Sequence, residues 1–142
     1  MIAIRTYHQI CTDLVDSNNN LEGFVLVAED KHAVNKLTGK TGIWLVAVIP
    51  SADRSGAPGK GVDQNAALLF VIEKSVPSKL KDKELDQYET TQELAIKIRD
   101  YMETQQEDGC QEFWRLDISS IHIDPEYNIF GGWNGWSISF IF

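Results

Sequence analysis

Ile43-Trp44-Leu45-Val46-Ala47-Val48-Ile49 and Ala66-Ala67-Leu68-Leu69-Phe70-Val71-Ile72 decide the fold. Each run is too short for an ordinary buried helix and rich in the β-branched and aromatic residues that strands favour. Neither run alternates with polar residues, so both faces of each strand are expected to lie under cover, as in the centre of a sheet. Between them, Pro50 to Asn65 is rich in Gly, Ser, Asp and Pro, too long for a tight hairpin and too polar to bury. The expectation is a long, mobile hairpin loop.

Upstream, Gly23-Phe24-Val25-Leu26-Val27-Ala28 has the same two-faced apolar character and reads as a third covered strand. Before it, Ile4, Tyr7, Cys11, Leu14 and Val15 recur at three- and four-residue spacing, which predicts an amphipathic helix from Ile4 to Val15. Asp16-Ser17-Asn18-Asn19-Asn20 stops that helix, because such side chains compete for backbone hydrogen bonds. Asp30 to Leu37 reads as a helical turn closed by Gly39 or Gly42.

Downstream, Pro77 ends the strand that begins at Ala66. From about Lys83 to Glu107, Leu85, Tyr88, Leu94, Ala95, Ile98, Tyr101 and Met102 trace the stripe of a long helix, with Asp108-Gly109 as its stop. Trp114, Leu116 and Ile118 then fall on one strand parity and Ile121 and Ile123 on the other. A bulge at Ser119-Ser120 reconciles them. Asp124-Pro125-Glu126-Tyr127-Asn128 is expected to break this strand, and Trp136, Ile138, Phe140 and Phe142, alternating with serines, form a half-buried last strand. The sum is a single α+β domain over residues 1–142. Its layering is a mainly antiparallel sheet of about five strands, packed by one long and one shorter helix.

The chain has 142 residues, of which 43% are hydrophobic and 24% charged, the composition of a folded globular domain. Its net charge of −8 repels phosphate backbones and anionic lipid, which argues against nucleic acid and membrane as direct partners. The N-terminus lacks a basic segment followed by an apolar run, so a cytoplasmic location is the expectation. Cys11 and Cys110 stand far apart in unlike contexts and are expected to be free thiols.

Candidate chemistry is sparse. Gly39-Lys40-Thr41 looks like the end of a phosphate-binding loop, but Val34 occupies the position where that motif needs its first glycine. Gly56-Ala57-Pro58-Gly59-Lys60-Gly61 has its glycines too close together and no Ser or Thr after Lys60. His122 and Asp124 share one side of a strand, as two metal ligands could, yet His8 and His32 are remote in sequence. Neither cysteine has the setting of a nucleophile, and no Gly-x-Ser-x-Gly occurs. No catalytic residue, cofactor site or metal site is therefore assigned. In Phe130-Gly131-Gly132-Trp133-Asn134-Gly135-Trp136, strand parity with Ile138 sends Trp136 to the core and leaves Trp133 as the interface candidate. Arg54, Lys60 and Asp63, charged residues of the long loop, complete the candidate interface.

The order of elements, the ending Gly135-Trp136-Ser137-Ile138-Ser139-Phe140-Ile141-Phe142, and the segment Asp86-Gln87-Tyr88-Glu89-Thr90-Thr91-Gln92-Glu93-Leu94 before the two aromatic-rich strands together resemble a known class. It is the tail-completion proteins of phages and prophages, of tail-terminator or minor-tail type, including prophage-like regions of Bacteroidetes. The resemblance implies a non-catalytic structural protein that forms homo-oligomers, uses no cofactor, and associates with itself and with other tail or virion subunits. The loop from Ser51 to Asn65 would be its docking arm. Two other classes fit the residues. One is a monomeric inhibitor or immunity-type module whose acidic helix meets a basic partner. The other is a small enzyme or ligand-binding domain with a site near His122, Asp124 and Tyr127.

Overall fold

The computed structural model describes residues 1–76, 81–113 and 115–142. The expectations placed on Pro77 and Trp114 lie outside these residues. In chain order the elements are α1 (Ile4–Asp16), β1 (Gly23–Val27), α2 (Asp30–Leu37), β2 (Ile43–Ser55), β3 (Val62–Lys74), α3 (Lys81–Glu107), β4 (Asp117–Ile129) and β5 (Trp133–Ile141). The strands form one sheet in the order β1-β2-β3-β5-β4, parallel between β1 and β2 and antiparallel elsewhere. The α+β class and the mainly antiparallel five-stranded sheet are as the sequence predicts. The single parallel pair arises because α2 sits between its two strands, and a parallel pair needs a crossover rather than a hairpin.

Two layers cover the sheet. On one face, α1 contributes Tyr7, Ile10, Cys11 and Leu14, and α3 contributes Leu94, Ala95, Ile98 and Met102. They close over Leu45, Ala47, Leu69, Val71, Ile138 and Phe140. On the other face, Ala33 and Leu37 of α2 meet Val25, Val27, Val46, Ile72 and Trp133. The apolar character of the central strands on both sides is thus met within the chain, with α2 as the second cover. At the end of α1, Asn18 turns inward and donates its side-chain amide to the Leu14 carbonyl at 2.8 Å, which satisfies a carbonyl that the helix leaves open.

Three expectations change. The segment Pro50 to Asn65 is not a long loop, because β2 and β3 continue as a paired ribbon to Ser55 and Val62, leaving only Gly56 to Gly61 as the turn. Asp124 to Asn128 does not break β4, since Pro125 pairs within the strand. Proline is tolerated there because β4 is an edge strand and an outward-facing N–H is not missed. The slip at Ser119-Ser120 is present but wider than one residue: Ile118 to Ile121 all stand opposite Phe140. Asp117 organises this excursion by accepting the Ser119 amide at 3.0 Å, and the Ser120 hydroxyl reaches the Asp117 carbonyl at 2.6 Å.

Gly135 fixes the junction of β5 with β3. A Cβ there would lie 2.1 Å from the Val71 carbonyl oxygen and 2.9 Å from the Ile72 Cα, both backbone atoms of a central strand. Gly135→Ala should therefore cost about 3 kcal/mol or more, read as a lowered denaturant midpoint. A loss near the few tenths expected of a surface change would show that β5 can shift away from β3.

Candidate functional site

β1 ends its pairing at Val27 opposite Val48, and Ile49 and Pro50 then form a bulge. Beyond it, Ser51 to Ser55 pair only with Val62 to Ala66. The result is a two-stranded arm projecting from the sheet, in which every residue from Ser51 to Lys60 is exposed. The turn closes on itself through the Lys60 amide, which donates to the Ala57 carbonyl at 2.9 Å. Gly56, at φ +116, has its Cβ position blocked by the Lys60 carbonyl at 2.9 Å, so glycine is required for so close a return.

Arg54 and Asp63 are directly opposite across the ribbon, with Arg54 Nη1 3.3 Å from Asp63 Oδ1. The amino group of Met1 also bonds Asp63. That hydrogen bond, with the Arg54 guanidinium, holds the Asp63 carboxyl below the usual carboxylate range. Asn65 anchors the base of the arm: its Oδ1 accepts the Ile2 amide at 2.9 Å and its Nδ2 donates to the Phe142 carbonyl at 3.1 Å. A cleft of about 660 Å³ lies under the arm, bordered by Thr6, Gln111, Glu112 and Arg115. Asp63 and Asn65 on its wall are already engaged in holding the arm to the terminal segments.

Three of the four interface candidates thus sit on the arm, Arg54 and Asp63 as a pair and Lys60 at the tip. Trp133 does not join them. It is opposite Lys74, at the far end of β3 from the arm, and only 2% exposed, inside the layer beneath α2. The reading of Trp133 as a presented ring is corrected. The turn Phe130-Gly131-Gly132 folds back over the second face, with Gly131 at φ +81 and Gly132 at φ +117, and directs Trp133 inward. Phe130 follows it, its ring edge-on to Phe70 at 5.0 Å. Trp136 lies on the opposite, α3-covered face, half-buried, with Nε1 donating to the Tyr88 carbonyl at 2.9 Å.

The chemistry candidates are dispersed. His122 and Asp124 are exposed on the sheet face beside Ser139 and Ser137. His8 stacks edge-on against Phe24 at 5.0 Å, and His32 Nδ1 accepts the Ala28 amide at 3.2 Å. Among the described residues, no group of three or more His, Cys, Asp or Glu side chains is placed to hold a metal. Lys40 lies 4.2 Å over the Trp44 ring, and Trp44 Nε1 donates to the Thr41 carbonyl at 2.8 Å. Gly39-Lys40-Thr41 thereby shapes the turn into β2. No described helix is long and apolar enough to cross a membrane. No protein-family model matches the chain, and no curated protein does.

The two thiols differ in kind. Burial pushes Cys11 up to about 12, and burial and then the neighbouring Cys11 push the Tyr7 hydroxyl above its ordinary range. Cys110 donates to Glu112 Oε2 at 2.8 Å, and this bond raises the thiol while lowering the carboxyl.

A thiol reagent at pH 8 should label Cys110 in the folded chain and Cys11 only on unfolding. Because the buried thiol resists ionisation, its contribution to stability should be complete below about pH 8.5, the unfolded value, and should fall as pH rises toward the folded value of about 12. Rapid labelling of both thiols would contradict this. Trp133→Ala should cost about 3–5 kcal/mol in denaturant unfolding, against less than about 0.5 kcal/mol for a surface ring.

Proposed function

We propose that this chain is an assembly protein that acts by contact, resembling the tail-terminator class in self-associating and docking onto other subunits through the β2–β3 arm. The observation that carries this reading is the arm itself. Two strands leave the sheet, lose cover on both sides and remain paired, with Ser51 to Lys60 wholly at the surface. An isolated two-stranded ribbon is marginal in water, so a partner that adds contacts along it gains from its preformed shape. The Arg54–Asp63 pair and the Asn65 anchors hold that shape before any partner arrives. Arg54, Asp63 and Lys60 present both signs of charge at the point of contact, which favours register and selectivity more than raw affinity.

Solution mass measured by light scattering across a concentration series, at low and high salt, tests the reading. Mass should rise above the 16.0 kDa of one chain as concentration increases. A mass that stays at one chain throughout, at both salt levels, removes the self-association on which the reading stands.

A further inference from the structure

We infer that the outer edge of the arm, Ser51 to Ser55 of β2, is a strand-addition site for the same segment of a second copy of this chain. The inference rests on the assembly reading and names its contact.

The argument begins with which backbone groups face outward. Asn65 and Phe142 exchange both hydrogen bonds, at 2.7 and 2.9 Å, so the Asn65 amide and carbonyl point toward the β5 side of β3. Along an antiparallel strand these directions alternate. Gln64 and Ala66 therefore bond across to Asp53 and Ser51, their partners in register. Ala52 and Arg54, lying between and after these, turn their amides and carbonyls away from β3 onto the open edge. Extended backbone is the natural complement of such a row.

The edges of the sheet itself are guarded, and the edge of the arm is not. On β1, Lys36 Nζ donates to the Leu26 carbonyl at 2.6 Å. On β4, Pro125 removes an outward donor, and the register breaks between Asp117 and His122 and again between Glu126 and Ile129. Bulges, proline and an edge lysine are the devices that block strand addition. Along Ser51 to Ser55 no proline, bulge or lysine occurs; the bulge at Ile49-Pro50 stops short of it, and Asp53 and Arg54 are its charged side chains.

Charge selects a second copy as the occupant. The chain carries −8, but Ser51 to Asn65 holds Asp53, Arg54, Lys60 and Asp63 and is neutral. The whole of the excess lies elsewhere, so two copies that meet along the arm bring no net like charge together there. A two-fold axis normal to the ribbon keeps each face on its own side. It then sets Ala52 opposite Arg54 of the second copy, and Arg54 opposite its Ala52, with the outward backbone groups of both exchanging bonds. The same register puts Asp53 opposite Asp53 of the second copy, an adverse like-charge pair.

The test is the association midpoint from light scattering of the full chain and three variants, with far-UV circular dichroism and thermal melting as the check on folding. Ala52→Pro removes an outward amide without breaking the ladder to β3, and should raise the midpoint concentration about tenfold or more. Ala52→Lys leaves the backbone intact and faces Arg54 of the second copy with a like charge, so it should also raise the midpoint and keeps the test decisive if the proline variant does not fold. Asp53→Asn relieves the adverse pair and should lower it. If the wild-type chain associates and none of these variants moves its midpoint, the edge is overturned while the assembly reading stands. A wild-type chain that remains single at every concentration overturns both.

Discussion

β3 is the strand on which the molecule depends, because it has a neighbour on each side and water must be excluded from both its faces. Leu69 and Val71 require the layer formed by α1 and α3, and Ile72 requires the one formed by α2. Each such side chain contributes about 1.5–3 kcal/mol when fully buried, and neither layer can be removed without exposing alternate residues of the same strand. α2 is only eight residues long and cannot shield the second face alone. The turn between β4 and β5 supplies the missing cover by laying Phe130 against Phe70 and Trp133 under α2. The glycines of that turn have a structural reason: a positive φ at Gly131 and Gly132 reverses the chain, and the absent Cβ of Gly135 lets β5 close on β3.

The arm is what remains where this cover stops. β1 gives out at Val27, and beyond the bulge at Ile49-Pro50 the composition turns from Val, Ile and Leu to Ser, Ala, Asp and Arg. A strand with no layer above or below it has no use for apolar side chains, and exposing them would invite indiscriminate aggregation. What persists is the hydrogen-bonded ladder to β3, reinforced by one cross-strand ion pair and the bonds of Asn65. The loss of hydrophobic character at Pro50 and the projection of the ribbon are one event.

Much of this was legible in the sequence because burial leaves periodic traces. Tyr7, Cys11 and Leu14 of α1, Leu94, Ala95, Ile98 and Met102 of α3, and the two-faced strands record which side chains avoid water, whereas Ile4, Leu85 and Ile118, which the same periodicities send inward, stand exposed. Features held together by backbone bonds left weaker traces. The arm looked like a loop because Ser51 to Ser55 is fully exposed, so no alternation marks its strands. The faint clue was the tight glycine spacing from Gly56 to Gly61, which suits a closed turn. Pro125 looked like a break because its tolerance depends on β4 being an edge, and strand order is set by contacts distant in sequence. Trp133 reads as presented because parity with Ile138 excludes it from the α3 side, and the core under α2 that receives it is assembled from residues distant in sequence. Of the candidate site, Arg54, Asp63 and Lys60 were found together on the arm, whereas the backbone groups of Ala52 carried no signal in residue type.

The separation of charge from the arm gives the fold a further consequence. Exposed carboxylates such as Asp86, Glu89 and Glu93 line the outer side of α3, and its ion pairs within the described residues join Arg99 to Asp100 and Glu103. Like charges of this kind repel, so the acidic face of α3 disfavours contact between two copies there. At about 0.1 M salt the repulsion decays over roughly 10 Å. A strand of five residues spans about 17 Å, so two copies joined edge to edge along Ser51 to Ser55, as proposed, would hold their acidic bodies beyond that decay length. In the proposed contact the neutral arm would be a spacer as well as a contact, since its length would set the acidic bodies apart where its own charge does not oppose association.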